Sequence, residues 1–301
     1  MNSKGDAGVV FATNGEIVAY RRAAGASFWG AQEVVTTTPS GSVLALSGAA
    51  MGEAGDFAVT WQTFQVRCSR FCVDVNFVLH VSREQRAGTT WQDSGPLNAG
   101  VNNPGYTALP VVDGIGHAAV VYVAPFGAIV SAQTQARYGA PWGPAATAYT
   151  ASSRALLSGV NIANDGQMTV AALDLSGTGT TVVTFDGKIA TNAWNPATDL
   201  SSASGDPSGV VALTSFGGST NGAAVAEWGD GDGTIRAAVR PSGAGTWGPT
   251  RRVNGPVPCG TLGPTCSGPL AASINNKGHA VVIFATSDPQ FTRFAIWAAS
   301  E

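Results

Sequence analysis

Six short segments of the chain alternate small or polar residues with large apolar ones: DAGVVFAT (6–13), DFAVTWQT (56–63), HAAVVYVA (117–124), QMTVAALD (167–174), GAAVAEWG (222–229) and HAVVIFAT (279–286). A period of two over about eight residues predicts a β-strand with one face against a core. Between these runs stands a second recurring segment, a polar residue, a small-residue turn and then Trp: RRAAGASFWG (21–30), REQRAGTTWQ (83–92), QARYGAPWG (135–143), DGKIATNAW (186–194) and RPSGAGTWG (240–248). Its tryptophans, Trp29, Trp91, Trp142, Trp194 and Trp247, lie 62, 51, 52 and 53 residues apart, so the chain is a repeat of about 50 residues.

Each repeat parses into four strands bounded by Gly, Asn, Asp or Pro. In the third repeat these are 106–113, 117–124, 128–135 and a fourth strand beginning at Trp142. Asn14-Gly15 and Asp165-Gly166 supply residues that accept positive φ between paired strands. Four-stranded units repeated at this period predict an all-β fold, a β-propeller of six blades in a single domain over 1–301, with five or seven blades as alternatives. The first repeat starts at its second strand and the last ends at its third, so the missing strands would be adjacent in the ring.

Composition agrees with this reading. Only 12% of residues are charged while 44% are hydrophobic, and 39 Gly and 16 Pro stand beside few Lys or Glu, which disfavours both disorder and a helical fold. The net charge of −3, without an Arg/Lys cluster, leaves no electrostatic footprint for nucleic acid. No apolar run approaches the roughly 20 residues that span a bilayer, so membrane insertion is not expected.

Alternating strand directions put the first-to-second and third-to-fourth connections on one face and the remaining connections on the other. The first face is uniform. The second is irregular, with long loops at 62–74, 95–105 and 255–268, and is therefore the expected functional face. Four cysteines lie in these loops, and their spacing predicts two local disulfides, Cys68–Cys72 and Cys259–Cys266, against a rival four-thiolate metal site whose spacing fits zinc poorly. Disulfides imply an oxidising compartment: secreted, periplasmic or cell-surface. The opening Met1-Asn2-Ser3-Lys4-Gly5 has no apolar leader core.

Candidate chemistry is sparse. Arg70, Arg154 and Asp206, with the aromatics Trp61, Tyr122 and Trp228, make the candidate ligand-contact set, although recurrence of the aromatics at the end of the second strand also suits packing between blades. Glu227 beside Trp228 could act as a general acid if buried, and Asp174 is a second carboxylate at the same strand end. Asp230 and Asp232, set among glycines, could ligate calcium, the one cofactor the sequence admits, or could form a solvated turn. His117 and His279 recur at one repeat position and read as repeat residues, as do Arg22, Arg83 and Arg240 before the Trp turn.

PSGAGTWG (241–248) and AGTTWQ (87–92) resemble degenerate copies of the Asp-box turn of the sialidase-like propeller superfamily, matching at Ser, Gly and Trp and lacking the defining Asp. The repeat as a whole resembles those of secreted bacterial propeller proteins. Sialidases hold a substrate carboxylate with three arginines and use a Tyr/Glu nucleophile pair with an Asp acid, and these do not map onto this sequence. An evident scaffold without a catalytic constellation points to an extracytoplasmic recognition module that binds a glycan or protein through its loop face. Its alternatives are a sialidase-like or lyase-like carbohydrate-active enzyme and a structural domain of a larger surface protein.

Overall fold

The computed structural model describes the chain except residues 3, 69–71, 86, 87, 89, 100–106, 125, 126, 177, 178, 202–213, 231–233, 254–266, 288–293 and 301. Among the described residues every element is a β-strand, and the strands form six antiparallel sheets distributed over two compact units.

The first unit comprises residues 1–148 and 188–193. It holds β1 (Ala7–Thr13), β2 (Glu16–Arg22) and β3 (Glu33–Thr37) in one sheet. A second sheet orders β4 (Val43–Met51), β5 (Phe57–Cys68), β6 (Cys72–Glu84) and β7 (Gln92–Asp93), with β8 (Asn98–Ala99) also on β6. The third contains β9 (Thr107–Val112), β10 (Ala118–Val123), β11 (Ile129–Gln135) and β12 (Ala146–Thr150). Sheet faces meet through apolar clusters. Ile17, Ala19 and Val35 pack on Phe57, Val59 and Trp61, and Leu79 and Val81 pack on Ala108, Val120 and Tyr122.

The second unit comprises residues 149–187 and 194–301. Its sheets are β13 (Arg154–Ile162) to β14 (Gln167–Ser176), β15 (Gly179–Lys188) and β16 (Ala193–Trp194), with β17 (Thr198–Asp199) on β15; then β18 (Thr214–Gly218), β19 (Ala224–Gly229), β20 (Ile235–Arg240) and β21 (Arg251–Arg252); then β22 (Ser267–Ile274), β23 (Ala280–Ser287) and β24 (Phe294–Ser300). Leu173, Val182 and Leu200 pack on Ala226, Trp228 and Ala238, while Ala223, Val225 and Ala237 pack on Ile274, Ala280 and Val282.

One turn is built six times. An N–H donates to the carbonyl four residues on, from Asn2 to Asp6, Gly52 to Asp56, Asp113 to His117, Ala163 to Gln167, Ser219 to Ala223 and Asn275 to His279, at 2.8–3.0 Å. The third residue after each donor is Gly5, Gly55, Gly116, Gly166, Gly222 or Gly278, all with φ between 77° and 94°, where an L side chain would be strained. His117 and His279 are simply the residues that close this turn. His117 also places Nδ1 2.7 Å from Asp113 Oδ2.

Two local features depart from the sequence reading. The regular fourth strand resumes at Glu33, Ala146 and Arg251, four residues beyond Trp29, Trp142 and Trp247. After each of these tryptophans a glycine N–H closes a single bond, Gly30 to Arg21 O, Gly143 to Thr134 O and Gly248 to Val239 O, and in the last two copies the next residue, Pro144 or Pro249, has no N–H with which to continue the ladder. The segment 62–74, expected as a loop, is mostly strand: β5 and β6 run on as a hairpin in which Phe64 stacks on Phe77 and Cys68 lies opposite Cys72, bonded to it by a disulfide. Cys259 and Cys266 lie outside the described residues.

Three first strands also carry a bulge, between Leu46 and Gly48 in β4, Leu157 and Gly159 in β13, and Pro269 and Ala271 in β22. It sits where the neighbouring sheet comes close. A Cβ on Gly48 would meet Ala108 O and Pro110 Cδ at 3.0 Å, and one on Gly159 would meet Phe216 Cβ at 2.7 Å.

Candidate functional site

The sequence-derived aromatics are packing elements. Trp61, Tyr122 and Trp228 are 2%, 6% and 0% exposed, so none offers a free ring face for stacking. Trp61 stacks on His80 with centroids 4.1 Å apart and donates Nε1–H to Ser82 Oγ. Glu227 is buried together with Trp228, although alternation along the strand should have turned one of the pair outward. Asp174 is 6% exposed and accepts from Tyr149 Oη and from Ser152 N and Oγ. Burial and this carboxylate push the Tyr149 hydroxyl above its usual range. Arg154 lies half-buried at the start of β13, one residue from Ala155, which pairs with Asp174. Asp230 binds the Arg236 guanidinium, while Asp232, Arg70 and Asp206 lie outside the described residues.

Two of the repeat arginines, Arg240 and Arg83, and Arg21, the neighbour of the repeat residue Arg22, hold different settings, while Arg22 itself lies 5.4 Å from the Trp29 ring centre. Arg240, 3% exposed, donates Nη1 to both oxygens of Asp186 at 2.7 and 2.8 Å, reaches Thr169 Oγ1 and Gly222 O through Nη2, and lies 5.5 Å from the Trp247 ring centre. Thr169 donates to the same Asp186 at 2.7 Å, closing a triad. Arg21 faces two carboxylates, Glu33 at 3.0 Å and Glu84 at 2.8 Å. Burial first, then the bond with Glu33, push the Glu84 carboxyl up to about 7 from 4.5 against the pull of Arg21. Its side chain is 0% exposed.

Arg83, the third, lines a cleft of about 500 Å³ in the first unit. One wall is Gln92, Asp93, Ser94, Pro96 and Leu97, on and after β7. The other is Gln133 and Gln135 of β11 with Gly139, Ala140, Pro141 and Trp142 of the turn that follows. Arg83 donates Nη1 to Gln135 Oε1 and Nη2 to Gly116 O at 3.0 Å, with Asp56 Oδ2 3.9 Å away. Burial pushes its guanidinium below the usual range, opposed by Asp56 and Asp113. Gln135 Nε2 in turn donates to Ala140 O at 2.6 Å, fixing the turn that carries Trp142. Gln133 is 7% exposed and donates Nε2 to Gly143 O at 3.0 Å.

This cleft has one wall on a third-to-fourth connection, the side that the sequence reading treated as uniform, and the other running into the start of the 95–105 loop of the expected functional face. Its signal was the Gln-Thr-Gln alternation of 133–135, which puts two amides on one side of a strand otherwise rich in small residues. The Trp142 indole, half-buried and packed on the clusters around Leu79 and Ala58, stands beside three amides and one carboxylate, an apolar surface with paired donors and acceptors of the kind a polyhydroxylated ring requires.

No known family and no curated protein matches the chain. Among solved structures it is similar to a variant of the NanB sialidase from Streptococcus pneumoniae, at 8% identity and TM-score 0.55, over 98% of this chain and 65% of that one. It is likewise similar to an ulvan lyase of a polysaccharide lyase family, bound to -[GlcA(1-4)Rha3S]-, at 8% identity and TM-score 0.58, over 99% and 79%. With the fucose-specific lectin from Aleuria aurantia the identity is 14% and the TM-score 0.50, over 100% and 93%. The chain thus spans slightly less than two thirds of the sialidase. At such identities the likeness shows the fold alone, and that fold is of the β-propeller type.

Proposed function

We propose that this protein is an extracytoplasmic carbohydrate-recognition module on a propeller of six four-stranded blades. The observation that carries the reading is the cleft of the first unit, where Trp142 stands among Gln92, Gln133 and Gln135. Six sheets and six copies of one turn support the blade number. The Cys68–Cys72 disulfide supports an oxidising compartment. Sialidase, lyase and lectin neighbours all act on or bind carbohydrate by their names, and by themselves favour neither catalysis nor binding.

Burial favours binding. A general acid or base must reach the proton it moves. Asp174 and Glu227 are 6% and 0% exposed, and the Glu84 side chain, the carboxyl with the raised pKa, is 0% exposed. A glycan array run beside glycosidase and lyase substrate panels tests the proposal. Saturable binding without turnover is the expected result, and turnover of any substrate in the panels would replace recognition with catalysis.

A further inference from the structure

The cleft contains more than its outline. Gln133 Oε1 is a buried acceptor without a partner among the described residues, and because Gln133 Nε2 is committed to Gly143 O, the amide cannot be turned over to relieve it. Arg83 Nε also has no partner among the described residues, but the same holds for Arg240 Nε, so that donor does not single out the cleft. Both side chains line the cleft and both are more than nine-tenths buried, at 7% and 2% exposure. A buried polar group left unpaired is costly, so the Gln133 acceptor in the wall marks a place where a donating ligand hydroxyl is favoured once the wall yields enough to reach it.

Charge narrows the class of ligand. The Arg83 cation lies beneath the wall and is offset by Asp56, whereas the exposed charge of the lining belongs to Asp93, whose side chain is 46% exposed and lies 3.4 Å from His80 Nδ1. An anionic sugar entering the cleft would meet a carboxylate at the rim and, among the described lining residues, no exposed cation to bind its acid group. From this, resting on the carbohydrate reading above, we propose that the cleft binds a neutral saccharide, one ring against Trp142 and its hydroxyls bonded to Gln133 in the wall and to Gln92 at the rim. The sugars of the sialidase and lyase neighbours' names are then the wrong class for this site.

The test uses the full chain and saturation-transfer NMR with methyl glycosides of neutral hexoses and deoxyhexoses, neutral oligosaccharides, sialyllactose and glucuronate oligosaccharides. Neutral probes should bind and acidic ones should not. Gln133→Leu, which removes the unpaired acceptor at nearly constant size, should weaken neutral binding by about tenfold with an unchanged melting temperature. Asp93→Asn should leave neutral binding in place and admit acidic probes. Binding confined to acidic probes, or neutral binding indifferent to Gln133→Leu and to Trp142→Phe, would overturn the assignment while leaving carbohydrate recognition standing. Failure of every probe, together with a blank glycan array, would overturn recognition itself.

Discussion

Arg83, next to last in β6 of the first unit, and Arg240, last in β20 of the second, pair with Ala58 and Ala224 and are almost wholly buried. Each donates to the carbonyl of a turn glycine, Gly116 of the adjoining sheet or Gly222 of the same sheet. Their neighbours differ. Arg240 donates to both oxygens of Asp186 and to Thr169, which itself donates to Asp186, so its charge is closed into a triad. Arg83 has an amide where Arg240 has a carboxylate, its nearest acid is 3.9 Å away, and a cleft opens beside it. A buried cation held by a carboxylate is a rivet; one held by neutral oxygens is tied less firmly, although both guanidinium groups leave Nε without a partner among the described residues.

The largest effect should come from breaking the closed site. Arg240→Met would strand Asp186 and Thr169 in a largely dry setting, and urea unfolding should show a loss of about 3 kcal/mol. The matched substitution Arg83→Met removes bonds to neutral oxygens and should cost about 1.5 kcal/mol in the same measurement, so equal losses at the two sites would dissolve the distinction. Converting one site toward the other sharpens it. Gln135→Glu gives Arg83 the carboxylate that Arg240 already has, and should raise the melting temperature by about 2 °C while weakening any saccharide bound in the cleft.

The smallest effect concerns Arg21, which has one carboxylate too many. Glu84, pushed up to about 7 from 4.5 mainly by burial, takes up a proton on folding between those two values. Its contribution is complete below about 4.5 and is lost as pH rises through about 7, so the wild-type melting temperature should decline over that window. Glu84→Gln, fixed in the neutral form, should flatten the decline and raise the melting temperature above pH 7, as differential scanning calorimetry at stepped pH would show.

What could be seen in the sequence is what each repeat contains within itself. The second strands are legible because period-two runs such as HAAVVYVA need only their own alternation, and the turn glycines because positive φ restricts the residue. Trp29, Trp142 and Trp247 mark the right neighbourhood but the wrong boundary, since the glycine bond and prolines after them delay the ladder. The Leu-Ser-Gly bulges at Gly48 and Gly159 arise from the closeness of the adjoining sheet, a tertiary fact with no local periodicity. The cleft is less legible still: residues 92–97 come from one repeat and 133–142 from the next, and neither stretch carries the site alone. Trp61, Tyr122 and Trp228 drew attention as ligand contacts because aromatic size signals both recognition and packing, and burial decides between them.

The bulges also limit how such a chain can be cut and rejoined. β4 and β13 each absorb one extra residue, Ser47 or Ser158, while Leu46 stays opposite Trp61 and Leu157 opposite Ala172. Deleting that residue would leave the pairing on both sides as it is and straighten the strand at the point where Gly48 or Gly159 meets the adjoining sheet. Module exchange between repeats, by recombination or by design, is thus safest away from the bulges, and the six glycine turns are such seams: a repeat cut at Gly55 and rejoined at Gly166 keeps every strand whole.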